Sequence, residues 1–185
     1  MTKSRIYDYV ERLSGLLRVD ARQAGARHGL QPVQLEVLHY LSICNRFSDT
    51  PMAVTEYLGQ TKGTVSQTLK VLENKELIVK TADPTDKRVA HMKLTAKGAD
   101  LLQQLLPTPL FRQACDLELS EDERGEIAGA LHQLLSALLR ANDMKSFGVC
   151  HSCRFNRTTD NGSFCELVQQ PLSESDIHLI CREHE

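Results

Sequence analysis

The sequence predicts a mainly helical protein with one small β hairpin and a short cysteine-rich appendage. Three observations lead there. Apolar residues recur at helical spacing through most of the first 140 or so positions. The period changes to that of strands at Ile78 to Thr81 and Val89 to Leu94, around the turn sequence Asp83-Pro84-Thr85-Asp86-Lys87-Arg88. Four of the six cysteines fall from Cys150 onward.

Taken in order, Ile6, Val10, Leu13 and Leu17 are spaced for an amphipathic helix reaching toward Arg27, with Gly29 ending it. Pro32 suits the first turn of a second helix carrying Leu35, Val37, Leu38 and Leu41. Ser48-Asp49-Thr50-Pro51 is a loop and cap, Met52 to Leu58 a short helix, and Gly59 its end. Thr61 can cap the next helix by accepting a free N–H of its first turn. There Val65, Leu69 and Leu72 form the apolar face, and Lys62, Thr64, Ser66, Gln67 and Lys70 the polar one. After the hairpin, Leu101, Leu102, Leu105 and Leu106 return to helical spacing. Pro107 and Pro109 then predict a break, with helix resuming from Leu110 to about Leu117. Ser120-Glu121-Asp122-Glu123 reads as a cap with acidic residues on the positive helix end. It opens a last helix with a leucine-rich stripe, Ile127, Leu131, Leu134, Leu135, Leu138 and Leu139. That stripe fits core packing and a dimer interface equally well.

The composition narrows the function. With 41% apolar and 25% charged residues the 185-residue chain is ordinary for a soluble globular protein. Aromatics are 5% with no Trp, which disfavours a stacking platform for single-stranded nucleic acid. No apolar run spans a bilayer and Met1-Thr2-Lys3-Ser4 opens no signal peptide, so a cytoplasmic protein without a membrane partner is expected. The net charge of −2 hides an uneven distribution. Lys62, Lys70, Lys75, Lys80, Lys87, Arg88, Lys93 and Lys97 outnumber the acids of the same segment, and the tail is acidic. A polar-faced helix followed by a basic hairpin suits double-stranded DNA: the helix fits the major groove and a long Arg reaches the minor one.

These residues carry a resemblance. Thr64-Val65-Ser66, Leu69 to Leu77 (LKVLENKEL), the wing Asp83-x-x-Asp86-x-Arg88 and its exit Leu94-Thr95-x-x-Gly98 resemble the winged helix-turn-helix of the MarR family of bacterial transcriptional regulators. The resemblance covers roughly the first 140 residues. It implies an N-terminal dimerisation helix over 1–30, a winged helix-turn-helix over 31–98, C-terminal dimerisation helices over 99–145 and a separate tail over 146–185. It implies a short strand near Thr50 to Met52. It also implies a homodimeric regulator, read as a repressor, on a palindromic operator, with small-molecule effectors between dimerisation helices and DNA-binding lobe. Thr61, Lys62, Thr64, Gln67 and Lys70 are the expected contacts to base edges or phosphates, with Ser66 on phosphate. At the wing tip Lys87 is basic, and Arg88 enters the minor groove with Asp86 orienting its guanidinium.

The tail follows the spacing C-x2-C-x11-C-x15-C over Cys150, Cys153, Cys165 and Cys181. Four thiolates match tetrahedral zinc, and a Cys-x-x-Cys supplies two ligands in one turn. The second half lacks such a pair and departs from a zinc ribbon. An iron–sulfur cluster, making the protein a redox or iron sensor, and a redox-switched disulfide are the other readings. The tail resembles cysteine-rich extensions of some MarR-like proteins. Packing of Phe147, Phe155, Phe164, Leu167 and Leu172 on the main domain is the alternative source of its order. Cys44 and Cys115 read as small core residues, and His28, His39, His91 and His132 receive no role. No phosphate loop, nucleophile elbow or HExxH occurs, and four cysteines would close a zinc site to water, so an enzyme is not expected. The rival to a DNA-binding regulator is a helical dimer using its winged helix to bind protein.

Overall fold

The computed structural model describes residues 2–160 and 162–185, with side chains from residue 5 on. Helix α1 (Thr2–Ala26) leads through Gly29, at φ 65°, to α2 (Pro32–Ile43). Gly29 stands where a left-handed residue must end the turn. Helix α2 is the centre of the fold. Leu35, Val37, Leu38, Tyr40 and Leu41 are all buried on it. Each such side chain removed from water is worth about 1.5–3 kcal/mol.

Helix α3 (Pro51–Leu58) begins one residue after the Thr50 hydroxyl, which accepts from Ala53 N. Gly59, at φ 60°, closes it. The strand expected near Thr50 to Met52 is therefore absent: Pro51 sits at the first helical position, where its missing N–H costs nothing, and the cap commits the chain to helix. A hydrogen bond from Met92 N to Asp49 O (2.7 Å) ties the hairpin to that loop instead.

Helix α4 (Lys62–Asn74) buries Val65, Thr68, Leu69 and Leu72 against α2 and α3. Strands β1 (Ile78–Ala82) and β2 (Ala90–Leu94) pair antiparallel from Ile78↔Leu94 to Ala82↔Ala90. A lone hairpin is marginal in water; here Ile78 and Met92 anchor it in the core. Helix α5 (Ala96–Leu105) stops before Pro107, and α6 (Pro109–Glu118) starts with Pro109 at its first position, as the prolines require. Ser120 and Glu123 form the capping box of α7 (Glu121–Ala141). Neither α6 nor α7 buries any residue within the protomer.

The tail is a folded unit. A 3-10 turn at Cys150–Ser152 precedes a three-stranded antiparallel sheet in the order β3 (Asn156–Thr159), β4 (Gly162–Cys165) and β5 (Gln170–Pro171), then one helical turn, α8 (Glu174–Ile177). Ile180 forms a parallel bridge with Cys44 and an antiparallel one with Val149. Phe147 and Ile180 pack on the main core, and Leu172 is buried. Leu167 is exposed, unlike the packed place the alternative account of the tail's order gave it. Among the described residues no helix is long and apolar enough to cross a membrane.

Candidate nucleic-acid interface and cysteine cluster

The periodicity of α4 decides what it shows to solvent. With Val65, Leu69 and Leu72 turned inward, Thr61, Lys62, Thr64, Ser66, Gln67 and Lys70 are all exposed. The Thr61 side chain caps the helix by accepting from Thr64 N (3.2 Å), and the two hydroxyls lie 2.9 Å apart. The free N–H groups of the first turn and the positive end of the helix dipole thus lie beside Lys62, an arrangement that favours phosphate.

The wing tip is held by two carboxylates. Asp83 Oδ1 accepts from Thr85 N, Thr85 Oγ1 and Asp86 N at 2.6–2.8 Å. These bonds hold its carboxyl well below the usual range, the Thr85 hydroxyl contributing most. Asp86 takes Arg88 in a fork, Nε to Oδ1 at 2.9 Å and Nη2 to Oδ2 at 2.8 Å, and also accepts from Arg88 N. Arg88 remains 90% exposed, so this pair adds little stability in water and fixes a direction instead. Lys87 is exposed beside it. The fold therefore brings all the expected DNA-contacting residues onto two adjacent exposed elements.

His91, given no role by its sequence position, faces both supports of the wing. Its Nδ1 lies 2.5 Å from Asp49 Oδ1 and its Nε2 3.1 Å from Asp83 Oδ2. Burial pulls the imidazole pKa down, but the hydrogen bonds and charges of Asp49 and Asp83 outweigh it and hold the pKa above its ordinary value. Asp49 moves up, because its own burial outweighs the help of His91 and Lys93. A three-residue bridge thus joins the loop before α3 to the wing. Nothing in the spacing of Asp49, Asp83 and His91 could have revealed it, since the contact depends on the strand register.

All six cysteines of the chain are free thiols, four of them in the tail. Cys150 and Cys153 share the 3-10 turn, closed by Cys153 N to Cys150 O, and both are buried. Cys165 ends β4, opposite Asn156, whose N–H bonds back to Cys153 O. Cys181 N donates to Gly148 O, and Cys150 N to Leu179 O. Burial first, and then the nearby Cys181, Cys153, Cys165 and Asp176, push the Cys150 thiol up to about 12. Cys153, Cys165 and Cys181 are thus near enough to Cys150 to disfavour its thiolate. Among the described residues, no three His, Cys, Asp or Glu side chains stand in a metal-holding arrangement as they are. Cys44 is buried at the end of α2, whereas Cys115 is only half-buried and not a core residue.

Comparison with known proteins agrees with this geometry. Residues 28–89 match the sequence profile of the MarR family. The chain is 33% identical over 82 residues to the HTH-type transcriptional regulator MhqR of Bacillus subtilis, covering 44% of this chain and 54% of that protein. It is 30% identical over 129 residues to the HTH-type regulator YkoM of the same species, covering 64% and 82%. To the HTH-type transcriptional repressor NicR of Pseudomonas putida it is 27% identical over 133 residues, covering 69% and 83%. Among solved structures, the S. aureus MepR–DNA complex superposes with a TM-score of 0.55 at 29% identity, over 71% of this chain and 97% of MepR.

Proposed function

The chain belongs to the MarR family of DNA-binding, winged helix-turn-helix transcriptional regulators, and from that premise we propose that it is a homodimeric repressor of a palindromic operator with a four-thiolate zinc site in its tail. The observation that carries the DNA reading is the pairing of an exposed polar face on α4 with an Arg88 aimed by Asp86. Helix α4 enters the major groove, where Gln67 and Lys70 reach base edges and Lys62, Thr64 and Ser66 meet phosphate or base. Arg88 enters the adjacent minor groove. The repressor reading is supported by the likeness to NicR, and DNA as partner by the likeness to MepR in its complex.

The dimer is supported by large apolar side chains left exposed on three helices. Tyr9, Leu13 and Leu16 on α1, Phe111 on α6, and Ile127, Leu131, Leu135 and Leu138 on α7 are exposed. Patches of this kind mark interfaces. The tail zinc reading rests on the number and type of the tail thiols, Cys150, Cys153, Cys165 and Cys181, the first two buried in one 3-10 turn. Zinc there would be a closed, four-coordinate staple; iron with sulfide in the same position is the second reading. Small effectors would enter the open groove of about 870 Å³ between the α1–α2 loop, the α4–β1 turn and α5, lined by His28, Lys75, Leu101 and Gln104.

The test is Arg88→Ala, measured against a duplex selected from a random pool by the wild-type protein. Affinity should fall by tenfold or so, with a shallower dependence on salt, since one cationic contact to the DNA is lost. An intact dimer that selects no duplex at low salt would support the protein-binding reading instead.

A further inference from the structure

Resting on the DNA-binding reading of α4 and the wing, we infer that the tail is a fixed wall of the DNA-binding lobe and that Arg182 is a positioning residue for DNA binding, acting through the α2–α3 loop and Glu56 of α3. In that loop Asn45, Ser48 and Asp49 are all buried. Buried polar groups left without partners are costly, so the loop needs hydrogen bonds. The main domain supplies part of them: Tyr40 donates its hydroxyl to Ser48 O at 2.7 Å, and Ser48 N donates to Asn45 O at 2.9 Å. The tail supplies others. Asn45 N donates to Ile180 O at 2.9 Å, Ile180 N to Ile43 O at 2.8 Å, and Arg182 N to Ser48 Oγ at 2.9 Å.

Side chains tie the same two bodies together. The Arg182 guanidinium forks onto Glu56, Nε to Oε2 at 2.7 Å and Nη2 to Oε1 at 2.6 Å. Arg182 is 27% exposed and Glu56 32%, and both oxygens of the carboxylate are engaged, a geometry that fixes position as well as charge. From the loop, Arg46 reaches back to the tail: Nη2 donates to Pro171 O at 2.5 Å, and Nη1 lies 3.6 Å from the buried Asp176 carboxylate. Beside them Phe147 stands edge-on to Tyr57 of α3, ring centroids 5.2 Å apart, and to Tyr40 of α2 at 6.1 Å.

The same loop and helix lead to both elements that meet DNA. Ser48, which accepts from Arg182 N, is followed by Asp49, which holds the wing: Met92 N donates to Asp49 O at 2.7 Å, and His91 Nδ1 lies 2.5 Å from Asp49 Oδ1. Helix α3, held through Glu56, is joined to α4 by Gly59, Gln60 and Thr61. Arg182 thus fixes the placement of α4 relative to the wing before DNA arrives. A surface ordered beforehand loses less freedom on binding, so the clamp contributes affinity without touching the duplex.

The test compares wild type, Arg182→Ala, Glu56→Gln and the double variant on the duplex selected by the wild-type protein. Dimer state is read by size exclusion and folding by thermal melt. Each single variant should bind about fivefold more weakly, the low end of the range for coupled sites. The double variant should bind no more weakly than the weaker single one, because the two residues act as a pair. Arg182→Ala removes a positive charge and Glu56→Gln a negative one. Action through the overall field on a polyanion would therefore weaken binding in the first and strengthen it in the second. Loss in both, with the dimer intact and the chain folded at the assay temperature, is the signature of positioning. Glu56→Gln keeps the side chain's shape, so it decides the matter if Arg182→Ala folds poorly. Wild-type affinity in Glu56→Gln, or opposite changes in the two variants, would overturn the inference. A wild-type protein that selects no duplex would instead overturn the DNA reading on which it rests.

Discussion

His91 is wedged between Asp49 of the loop before α3 and Asp83 of the wing turn. A protonated imidazole bonds both; a neutral one can donate to only one of them. The sign of the pH effect follows. The folded-state pKa lies above the ordinary 6.5. The bridge is therefore fully present below that value and fades as the pH climbs through the raised folded pKa. DNA affinity measured across that window should decline several-fold with rising pH, and His91→Gln, which cannot be charged, should flatten the profile. Asp49, Asp83 and Lys93 are the other charged groups facing this bridge. The role of His91 was invisible in the sequence because both partners lie on other segments, at 42 and 8 residues' remove. The fork of Asp86 and Arg88 was legible because its two residues are neighbours in one turn.

Among the elements, the junction of α4, β1 and α5 shows why the wing's exit needs threonine and glycine. Thr95 accepts from Gly98 N to cap α5, donates its hydroxyl to Glu76 O at 2.7 Å, and its N–H bonds to Leu77 O. A Cβ on Gly98 would stand 2.0 Å from Leu77 O, a backbone atom with nowhere to move. Gly98→Ala should therefore cost about 2 kcal/mol or more, as overpacked sites do, and lower the midpoint of thermal unfolding accordingly. The helices were readable because they are periodic and capped by residues of the right type: Thr61 and Ser120 accept as expected. The tail sheet was not. Its strands are two to four residues long, too short for a period to appear. The strand expected near Thr50 failed for a local reason, the threonine cap followed by Pro51.

At the scale of the molecule, an amphipathic 21-residue helix with nothing buried against its own protomer is incomplete. Sequence alone could not choose between core and interface for that leucine stripe, because both need the same pattern; the exposure of Leu131 and Leu135 favours the interface. Leu135→Asp should turn a dimer into a monomer on sedimentation. It should also abolish tight operator binding, because the two half-sites must be engaged together. The tail adds a second body, tied to α3 by the fork of Arg182 onto Glu56.

The central claim is that α4 and the wing of two protomers read one DNA site. Hydroxyl-radical footprinting of the selected duplex, with wild type and Arg88→Ala side by side, tests it most directly. The account predicts two protected major-groove segments centred about 10 bp apart, one helical turn, or a multiple of it. Each should be flanked by a minor-groove protection that disappears in Arg88→Ala. A single protected segment, or a flanking pattern unchanged by the substitution, would contradict it.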